Sequence, residues 1–296
     1  MRRALILIAA LALPLRPAEP LAQRIGHTDP SKYKRSRSHG SAGDMACELL
    51  VPGNALTTNL NFIHRCQIMP GGGVGHHFHN QCEEMFIIFD GAAEFTIDGR
   101  TSVLNGTVGA PCRMGHSHAI YNPSDHPVEF MNINVSAAKD KYDNFDLGDA
   151  RTDVASKDPI PVFMTMRLDK EMLRPVPSYH GGEGAARYRR VIGPSVFQTN
   201  WSYMDHLLLP PGASEGMHKH PGIEEVYYVL NGEGQALVNG ETAEIRKGDA
   251  VPVLLNEPHA FKNSGSQDLE LMIMGIATQK NILETVLPGS PEWRLH

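Results

Sequence analysis

The chain has 296 residues, a formal net charge of −6 and 41% apolar residues. That apolar content is enough to bury a core, so a collagen-like or wholly disordered chain is excluded. The acidic balance gives no basic surface for nucleic acid, and we expect no nucleic-acid partner. The 28 Gly and 21 Pro favour many short strands joined by turns over long helices.

Residues 1–22 have the pattern of a secretory signal peptide. A basic start at residues 1–3 precedes an apolar run at residues 4–15, and Ala22 is a small residue suited to a cleavage site. The run is shorter than the about 20 residues that span a bilayer. We therefore predict a secreted or periplasmic protein without a stable membrane span; an uncleaved anchor or a buried helix is the alternative. Residues 23–54 are taken as a flexible N-terminal segment.

The chain contains four cysteines, Cys47, Cys66, Cys82 and Cys112. An exported protein can oxidise them, but four cysteines allow three pairings and the spacing does not choose among them. Buried free thiols are an equally open alternative. The lack of a C-x-x-C spacing gives no support to a cysteine-type zinc site.

An internal repeat with an offset of 141 residues organises the chain. Ten residues of the first half recur in one register without a gap, which chance does not produce, and we infer two homologous domains. The pairs are Gly71/Gly212, His77/His218, His79/His220, Glu83/Glu224, Glu84/Glu225, Gly91/Gly232, Gly99/Gly240, Thr101/Thr242, His118/His259 and Asn122/Asn263.

Each repeat carries short apolar and β-branched runs that end in Asp-Gly or Asn-Gly, as hairpins do. The regular spacing, without long helical patterns between the runs, predicts an all-β fold of the sandwich or barrel type. The predicted organisation is a domain over 55–136, a linker over 137–194 with one helical turn near Met166 to Leu173, a second domain over 195–278 and a tail over 279–296.

The histidines of each repeat have the spacing of a metal site. Strand alternation sends His77 and His79 to one face, about 6–7 Å apart. Glu84 opens the next strand and His118 lies on a later one, so three imidazoles and one carboxylate can share an ion. Such a set suits Fe, Mn, Ni, Cu or Zn and leaves coordination positions free. The second repeat offers the corresponding set of His218, His220, Glu225 and His259.

These spacings resemble the cupin superfamily in its two-domain (bicupin) form. The motif G-x5-H-x-H-x4-E-x6-G is met in full by residues 71–91 and 212–232. A second motif, G-x5-P-x-G-x2-H-x3-N, keeps its His and Asn in both repeats but departs at turn positions, with Arg113 where Pro is expected. Glu83 and Glu224 are rival carboxylates, and the motif favours Glu84 and Glu225. The resemblance implies two tandem cupin barrels (jelly-roll, double-stranded β-helix), each with one divalent transition metal.

Five further residues near the first site are candidates for catalysis: Arg113, His116, Tyr121, Asn132 and Asn134. Arg113 could pair with a substrate carboxylate or simply cap a turn, and His116 could be a base or an exposed loop residue. The two Asn share one strand face, which looks either into the barrel or to solvent. The second repeat has Ile273 and Gly275 in their places, so we favour the first domain as catalytic.

We expect a metal-dependent enzyme with a small-molecule substrate. The resemblance favours an oxidoreductase of the dioxygenase type acting on an aromatic or enolic compound. A non-redox decarboxylase, lyase or sugar isomerase is the alternative, followed by a binding or storage protein of germin or vicilin type. Bicupin oxalate decarboxylases carry an Arg just before the paired His; Gly75-His76 and Gly216-Met217 stand there, which disfavours oxalate. A homo-oligomer is left open.

Overall fold

The computed structural model describes residues 19–151 and 157–294. Residues 1–18 of the predicted signal peptide lie outside the described residues. Within these ranges one short α-helix, α1, spans Leu21–Arg24. In the described ranges, no helix has the length and apolar character needed to cross a membrane.

The other regular elements are strands and short 3₁₀ turns. The strands up to residue 151 are β1 (Gly26–His27), β2 (Lys34–Ser36), β3 (Met45–Pro52), β4 (Leu60–Ile68), β5 (Gly73–Phe78), β6 (Cys82–Ile88), β7 (Ala92–Ile97), β8 (Arg100–Asn105), β9 (Val108–Cys112), β10 (Ser117–Tyr121), β11 (Val128–Ser136) and β12 (Phe145–Asp146). Those after residue 157 are β13 (Met166–Arg167), β14 (Arg174–Pro177), β15 (Ala185–Ile192), β16 (Trp201–Leu209), β17 (Ser214–His218), β18 (Ile223–Asn231), β19 (Glu233–Val238), β20 (Glu241–Arg246), β21 (Asp249–Val253), β22 (His259–Lys262) and β23 (Leu269–Ala277). The 3₁₀ turns span Pro30–Lys32, Gly53–Ala55, Lys170–Met172, Tyr179–Gly181 and Pro291–Arg294.

Four antiparallel sheets build two barrels in tandem. The first barrel combines the sheet β13-β9-β6-β11-β4-β3-β2 with the sheet β12-β5-β10-β7-β8. The second combines β1-β21-β18-β23-β16-β15-β14 with β17-β22-β19-β20. The predicted all-β architecture of two tandem barrels is confirmed.

The two seven-stranded sheets are buried on both faces. In β6, Phe86 and Ile88 pack inside the first barrel, whereas Met85 and Ile87 join an apolar cluster that also holds Trp201 of β16. The strand therefore carries a continuous apolar run, as strands covered on both sides do. Burial of such side chains stabilises by about 1.5–3 kcal/mol each, and this shared cluster holds the barrels together.

The segment taken as flexible, residues 23–54, is folded, and that expectation is corrected. β2 and β3 complete the large sheet of the first barrel, and Met45 and Val51 are buried there. β1 crosses to the other barrel, where Gly26 pairs with Ala250 of β21. Buried apolar side chains and ladder hydrogen bonds fix this segment, and its polar composition did not reveal them.

The predicted linker over 137–194 likewise contains strands that belong to the barrels. β13 crosses to the first barrel, where Met166 pairs with Gly109 of β9. β14 and β15 complete the large sheet of the second barrel. The predicted helical turn is present as the 3₁₀ turn Lys170–Met172. Each repeat thus begins with a short strand that it contributes to the sheet of the other.

Of the four cysteines, two form a disulfide and two are free thiols, so both predicted alternatives occur. Cys47 and Cys66, opposite each other on β3 and β4, form a disulfide. Cys82 and Cys112 are buried free thiols. The disulfide links two neighbouring strands of the first barrel.

Candidate metal centres

The first barrel brings its four predicted ligands to one point. His77 pairs with His118 between β5 and β10, and His79 follows directly after β5. Glu84 lies on β6 of the facing sheet. The Nε2 atoms of His77, His79 and His118 lie 3.6, 3.5 and 3.3 Å from the Glu84 Oε2 atom. All four side chains are buried and their ligand atoms fall within 4.8 Å of one another, so one ion can contact all four.

The ring orientations in this site fit a cation. His77 donates from Nδ1 to the Gly75 carbonyl at 2.8 Å, and His79 donates from Nδ1 to the Asp143 carbonyl. These bonds leave each Nε2 lone pair directed inward. The Nε2 atoms of His77 and His118 lie 3.0 Å apart, a distance that two lone pairs tolerate when a cation or a proton lies between them. His79 Nε2 is buried and has no hydrogen-bond partner among the described residues.

The charge state of the first site also favours a cation. Burial alone would raise the pKa of Glu84, but its contacts with His118, His77 and His79 hold it well below its usual range. Burial and the neighbouring His77 lower the pKa of His118 to about 3. The site therefore combines an ionised carboxylate with a neutral imidazole, which are the forms that bind metals.

The second barrel repeats the arrangement. Nδ1 of His218, His220 and His259 donates to the carbonyls of Gly216, Glu284 and Glu257 at 2.9, 2.6 and 2.9 Å. The Nε2 atoms of His220 and His259 lie 3.4 and 3.0 Å from the Glu225 Oε2 atom. Neither of these two nitrogens has a hydrogen-bond partner within the described ranges. The described residues therefore form two buried His₃Glu sites, one in each barrel.

The two carboxylate ligands are held by different neighbours. Asn134 donates from Nδ2 to Glu84 Oε1 at 2.9 Å, so this Asn lies on the inward face, the first of its two predicted alternatives. In the second barrel Tyr203 donates from its hydroxyl to Glu225 Oε1 at 2.7 Å. Gly275 takes the place of Asn134, and a Cβ there would lie 2.3 Å from the Tyr203 ring. The glycine makes room for the tyrosine.

Three of the five predicted catalytic residues lie away from the ligands. Arg113 is exposed in the turn before β10, and His116 contacts Asp98 at 2.6 Å with 38% of its side chain exposed. Tyr121 is three residues from His118 on one strand, so alternation places it on the outer face. There the Arg151 guanidinium lies 3.9 Å from its ring. None of these contacts joins the three residues to the ligand set, and their catalytic roles stay predictions.

Asn132 shares the inward face with Asn134. It pairs with His64 of β4 and with Phe86 of β6. Its Oδ1 atom is buried and has no hydrogen-bond partner in the part of the chain described. Asn132 is therefore a polar group that faces the barrel interior.

Two histidines that had no assigned role also lie at the sites. The ring of His39 stacks on His77 with centroids 3.7 Å apart, and the ring of His180 lies 4.1 Å from His218. Both have a positive φ, 51° and 52°. The sequence contained the signal, because His39-Gly40-x-x-Gly43 recurs as His180-Gly181-x-x-Gly184 at the same offset of 141 residues.

A cavity of about 260 Å³ adjoins the second ligand set. Arg190 in its wall forms a two-pronged salt bridge with Asp205, with both N–O distances at 2.9 Å. Burial raises the pKa of Asp205, although hydrogen bonds from Arg190 and Tyr188 oppose that rise. Glu215 also lines the cavity and is buried, and its Oε1 atom lies 3.3 Å from His180 Nδ1. The cavity thus offers groups that can hold and move a proton.

Tandem β-barrels with one His₃Glu site each define a two-domain metal-binding cupin architecture. The sequence profile of the cupin domain family matches residues 64–134 and 205–275. The chain belongs to the cupin superfamily.

Curated relatives match parts of the chain. An oxalate-binding protein of Thermotoga maritima is 31% identical over 109 residues, which are 37% of this chain and 90% of that protein. The tetracenomycin polyketide synthase protein TcmJ of Streptomyces glaucescens is 28% identical over 78 residues, 26% of this chain and 52% of that protein.

Solved structures share the two-barrel fold. The oxalate decarboxylase of Lactobacillus farciminis in complex with formate superposes with a TM-score of 0.61 at 16% identity, over 89% of this chain and 88% of that one. The oxalate decarboxylase of Bacillus subtilis at pH 4.6 gives a TM-score of 0.60 at 16% identity, over 89% and 78%. At this identity the likeness shows the fold alone.

Proposed function

We propose that this protein is a metal-dependent, non-redox decarboxylase that acts on a small 3-oxo acid in its second barrel. The observation that carries the proposal is the contact of the buried Glu215 with the partly exposed His180, since both line the cavity together with the ligand His218. The fold of oxalate decarboxylases and the oxalate-binding relative support this class of chemistry over the dioxygenase favoured by the motif alone.

The size and charge of the cavity favour a small monocarboxylic acid. Ligand pockets commonly measure about 300–1,000 Å³, so a cavity of about 260 Å³ suits a small molecule. Three carboxylates, those of Asp205, Glu215 and Glu225, line it against the single guanidinium of Arg190. With a divalent metal bound these charges sum to zero, so the cavity has no surplus positive charge for a dianion such as oxalate. A monoanion with a neighbouring carbonyl is the better match.

A bound divalent metal would supply Lewis-acid polarisation of the substrate oxygens. Arg190 lines the wall with its guanidinium 4.2 Å from the Tyr203 ring, and although it is paired with Asp205 it adds positive charge near the place of a substrate carboxylate. When the C–C bond breaks, its electron pair moves to the adjacent carbonyl, carbon dioxide leaves, and the remaining carbon needs one proton. His180 and Glu215 contact each other at 3.3 Å beside the cavity, where either side chain can deliver that proton.

The test uses the full chain loaded with Mn²⁺ and acetoacetate as the probe. We expect carbon dioxide release without oxygen, lost in Glu225→Gln and in Glu215→Gln. The matched substitution in the first barrel, Glu84→Gln, is expected to retain it. A requirement for oxygen would contradict the proposal and favour dioxygenase activity. Loss of activity in Glu84→Gln alone would move catalysis to the first barrel, as the sequence favours.

We also propose that the protein is exported. The Cys47–Cys66 disulfide supports this, because such bonds persist in oxidising compartments. Fractionation of the native host should find the protein outside the cytoplasm, and recovery of the full-length chain from the cytosol would contradict export. A homo-oligomer stays a prediction that sedimentation can test.

A further inference from the structure

The cavity of the second barrel is lined by a buried carboxylate with one unpaired oxygen. Glu215 lies on β17 and is 1% exposed. Its Oε1 atom lies 3.3 Å from His180 Nδ1 and 3.7 Å from His218 Nε2. Its Oε2 atom is buried without a hydrogen-bond partner, and within the described ranges no Lys or Arg forms an ion pair with this carboxylate. A buried anion of this kind requires a donor from a bound molecule.

A β-bulge directs Glu215 toward the interior of the barrel. Strict alternation would place residues 215 and 218 on opposite faces of β17, but the pairing of β17 with β22 shifts between them. There Glu215 lies opposite Phe261, whose ring belongs to the core of this barrel. His218 lies opposite the ligand His259. Both side chains therefore face inward, and bulges commonly redirect a side chain beside an active site in this way.

The first barrel has a valine at the matching position. Val74 corresponds to Glu215 at the offset of 141 residues. It lies opposite Ile120 across the same kind of bulge, and both side chains belong to the apolar core. A carboxylate costs far more to bury than a valine. Because the fold does not need a carboxylate at this position, we connect Glu215 with a ligand.

The charges around the cavity favour one kind of donor. The guanidinium of Arg190 and a divalent metal ion balance the three carboxylates that line the cavity. A bound acid adds one negative charge, and an ammonium group on the same molecule cancels it. At Glu215 an ammonium also gains the attraction of opposite charges in a buried site, which a neutral hydroxyl lacks.

We propose, on the basis of the proposed function, that the substrate of the second barrel is a small 3-oxo acid that carries an ammonium group, and that Glu215 binds this group. Acetoacetate lacks the ammonium and is expected to be turned over with a higher KM than such a substrate. The first barrel, with Val74 at this position, has no corresponding carboxylate for the ammonium.

Calorimetric titration of the Zn²⁺-loaded full chain with three stable acids of equal length tests the assignment. Butanoate, 3-hydroxypropanoate and β-alanine end in a methyl, a hydroxyl and an ammonium group. We expect β-alanine to bind about tenfold more tightly than butanoate, with 3-hydroxypropanoate between them, because pairing of a buried charged group is worth at least that factor. Equal affinity for the three acids would show that Glu215 pairs with water and would overturn the proposal.

Three substitutions complete the test. Glu215→Val introduces the residue of the first barrel and should remove the preference for β-alanine. Glu215→Gln keeps the volume without the charge and should bring β-alanine and 3-hydroxypropanoate to the same affinity. Glu183→Gln is the control, because Glu183 is exposed and pairs with Lys262, and it should leave the preference unchanged.

The Zn²⁺ content of each variant, expected to equal that of the unaltered chain, shows that the site is intact. A preference for β-alanine that persists in Glu215→Val, or that disappears in Glu183→Gln as well, would overturn the proposal. These titrations need no turnover. Failure of this inference is therefore distinguishable from failure of the proposed function, which is tested by carbon dioxide release from acetoacetate.

Discussion

Glu83 on β6 and Glu224 on β18 make matching contacts in opposite directions across the interface of the two barrels. The carboxylate of Glu83 accepts hydrogen bonds from the backbone N–H groups of Gln198 and Thr199 at 2.8 and 2.6 Å. The carboxylate of Glu224 accepts from the N–H of Thr58 and the hydroxyl of Thr57 at 2.7 and 2.8 Å. The rival carboxylates of the two motifs thus join the barrels, and each lies next to a metal ligand.

The loops that these carboxylates bind are also held from their own side. Lys139 donates to the carbonyls of Gly53, Leu56 and Thr58 at 2.7–2.9 Å. Lys280 donates in the same way to three carbonyls of the loop before β16, those of Pro194, Phe197 and Thr199. Each loop therefore lies between a cation of its own barrel and an anion of the other.

We predict that Glu83→Gln and Glu224→Gln each lower the free energy of unfolding by about 1–3 kcal/mol, because the side-chain amide has one acceptor oxygen and cannot accept both hydrogen bonds of the buried carboxylate as well. Urea denaturation measures the change. Glu233→Gln, at an exposed position, is the control and should change stability little. Equal stability of all three variants would show that the contacts do not hold the interface.

Gly275→Ala should destabilise the second barrel, since the new Cβ would lie 2.3 Å from the Tyr203 ring. Overpacking of this kind costs about 1–3 kcal/mol. Metal content of the second site should also fall, because Tyr203 holds Glu225. The double change Gly275→Asn with Tyr203→Phe recreates the Asn134 and Phe62 pair of the first barrel and should restore metal binding. Metal content that stays normal in Gly275→Ala would contradict this account.

Glu270 should contribute to stability at neutral pH and lose that contribution in acid. Burial alone would raise its pKa, but contacts with His206 at 2.9 Å and Lys170 at 2.7 Å keep the pKa below its usual value. The folded chain therefore binds fewer protons there than the unfolded chain, and stability falls as pH drops through the unfolded value near 4.3. Glu270→Gln should narrow the stability difference between pH 7 and pH 4, measured by urea denaturation. The exposed substitution Glu244→Gln should leave it as in the unaltered chain.

The position of Leu21 bears on the signal cleavage site. Its side chain is 1% exposed within the apolar core of the second barrel, and its backbone N–H donates to Glu241 at 2.7 Å. A chain beginning at Gln23 would lose both contacts. We predict that it is less stable than a chain beginning at Glu19 by about 1.5–3 kcal/mol. Thermal unfolding measures the midpoints of the two chains. Equal midpoints would show that Leu21 places no constraint on where the signal peptide is cleaved.

The ligands were predictable because the 141-residue offset repeats their spacing with their chemistry. The crossing strands β1 and β13 were not predictable, because each is two residues long and so short a strand shows no periodicity in the sequence. Tyr121 was misplaced because its nearness to His118 in sequence was weighed without the alternation that sends it outward. His39 was missed because it lies 38 positions before His77, and only the folded chain stacks their rings. Non-local contacts of this kind depend on topology, which local pattern does not encode.

The crossing strands have an evolutionary consequence. β1 completes the sheet of the second barrel and β13 that of the first, so neither half is whole alone, and the arrangement is that of a strand-exchanged homodimer fused into one chain. In a homodimer every substitution appears twice, at both active sites. In the fused chain it appears once. Val74 and Glu215 could therefore diverge after duplication, while Glu83 and Glu224 remained matched where the halves must still fit.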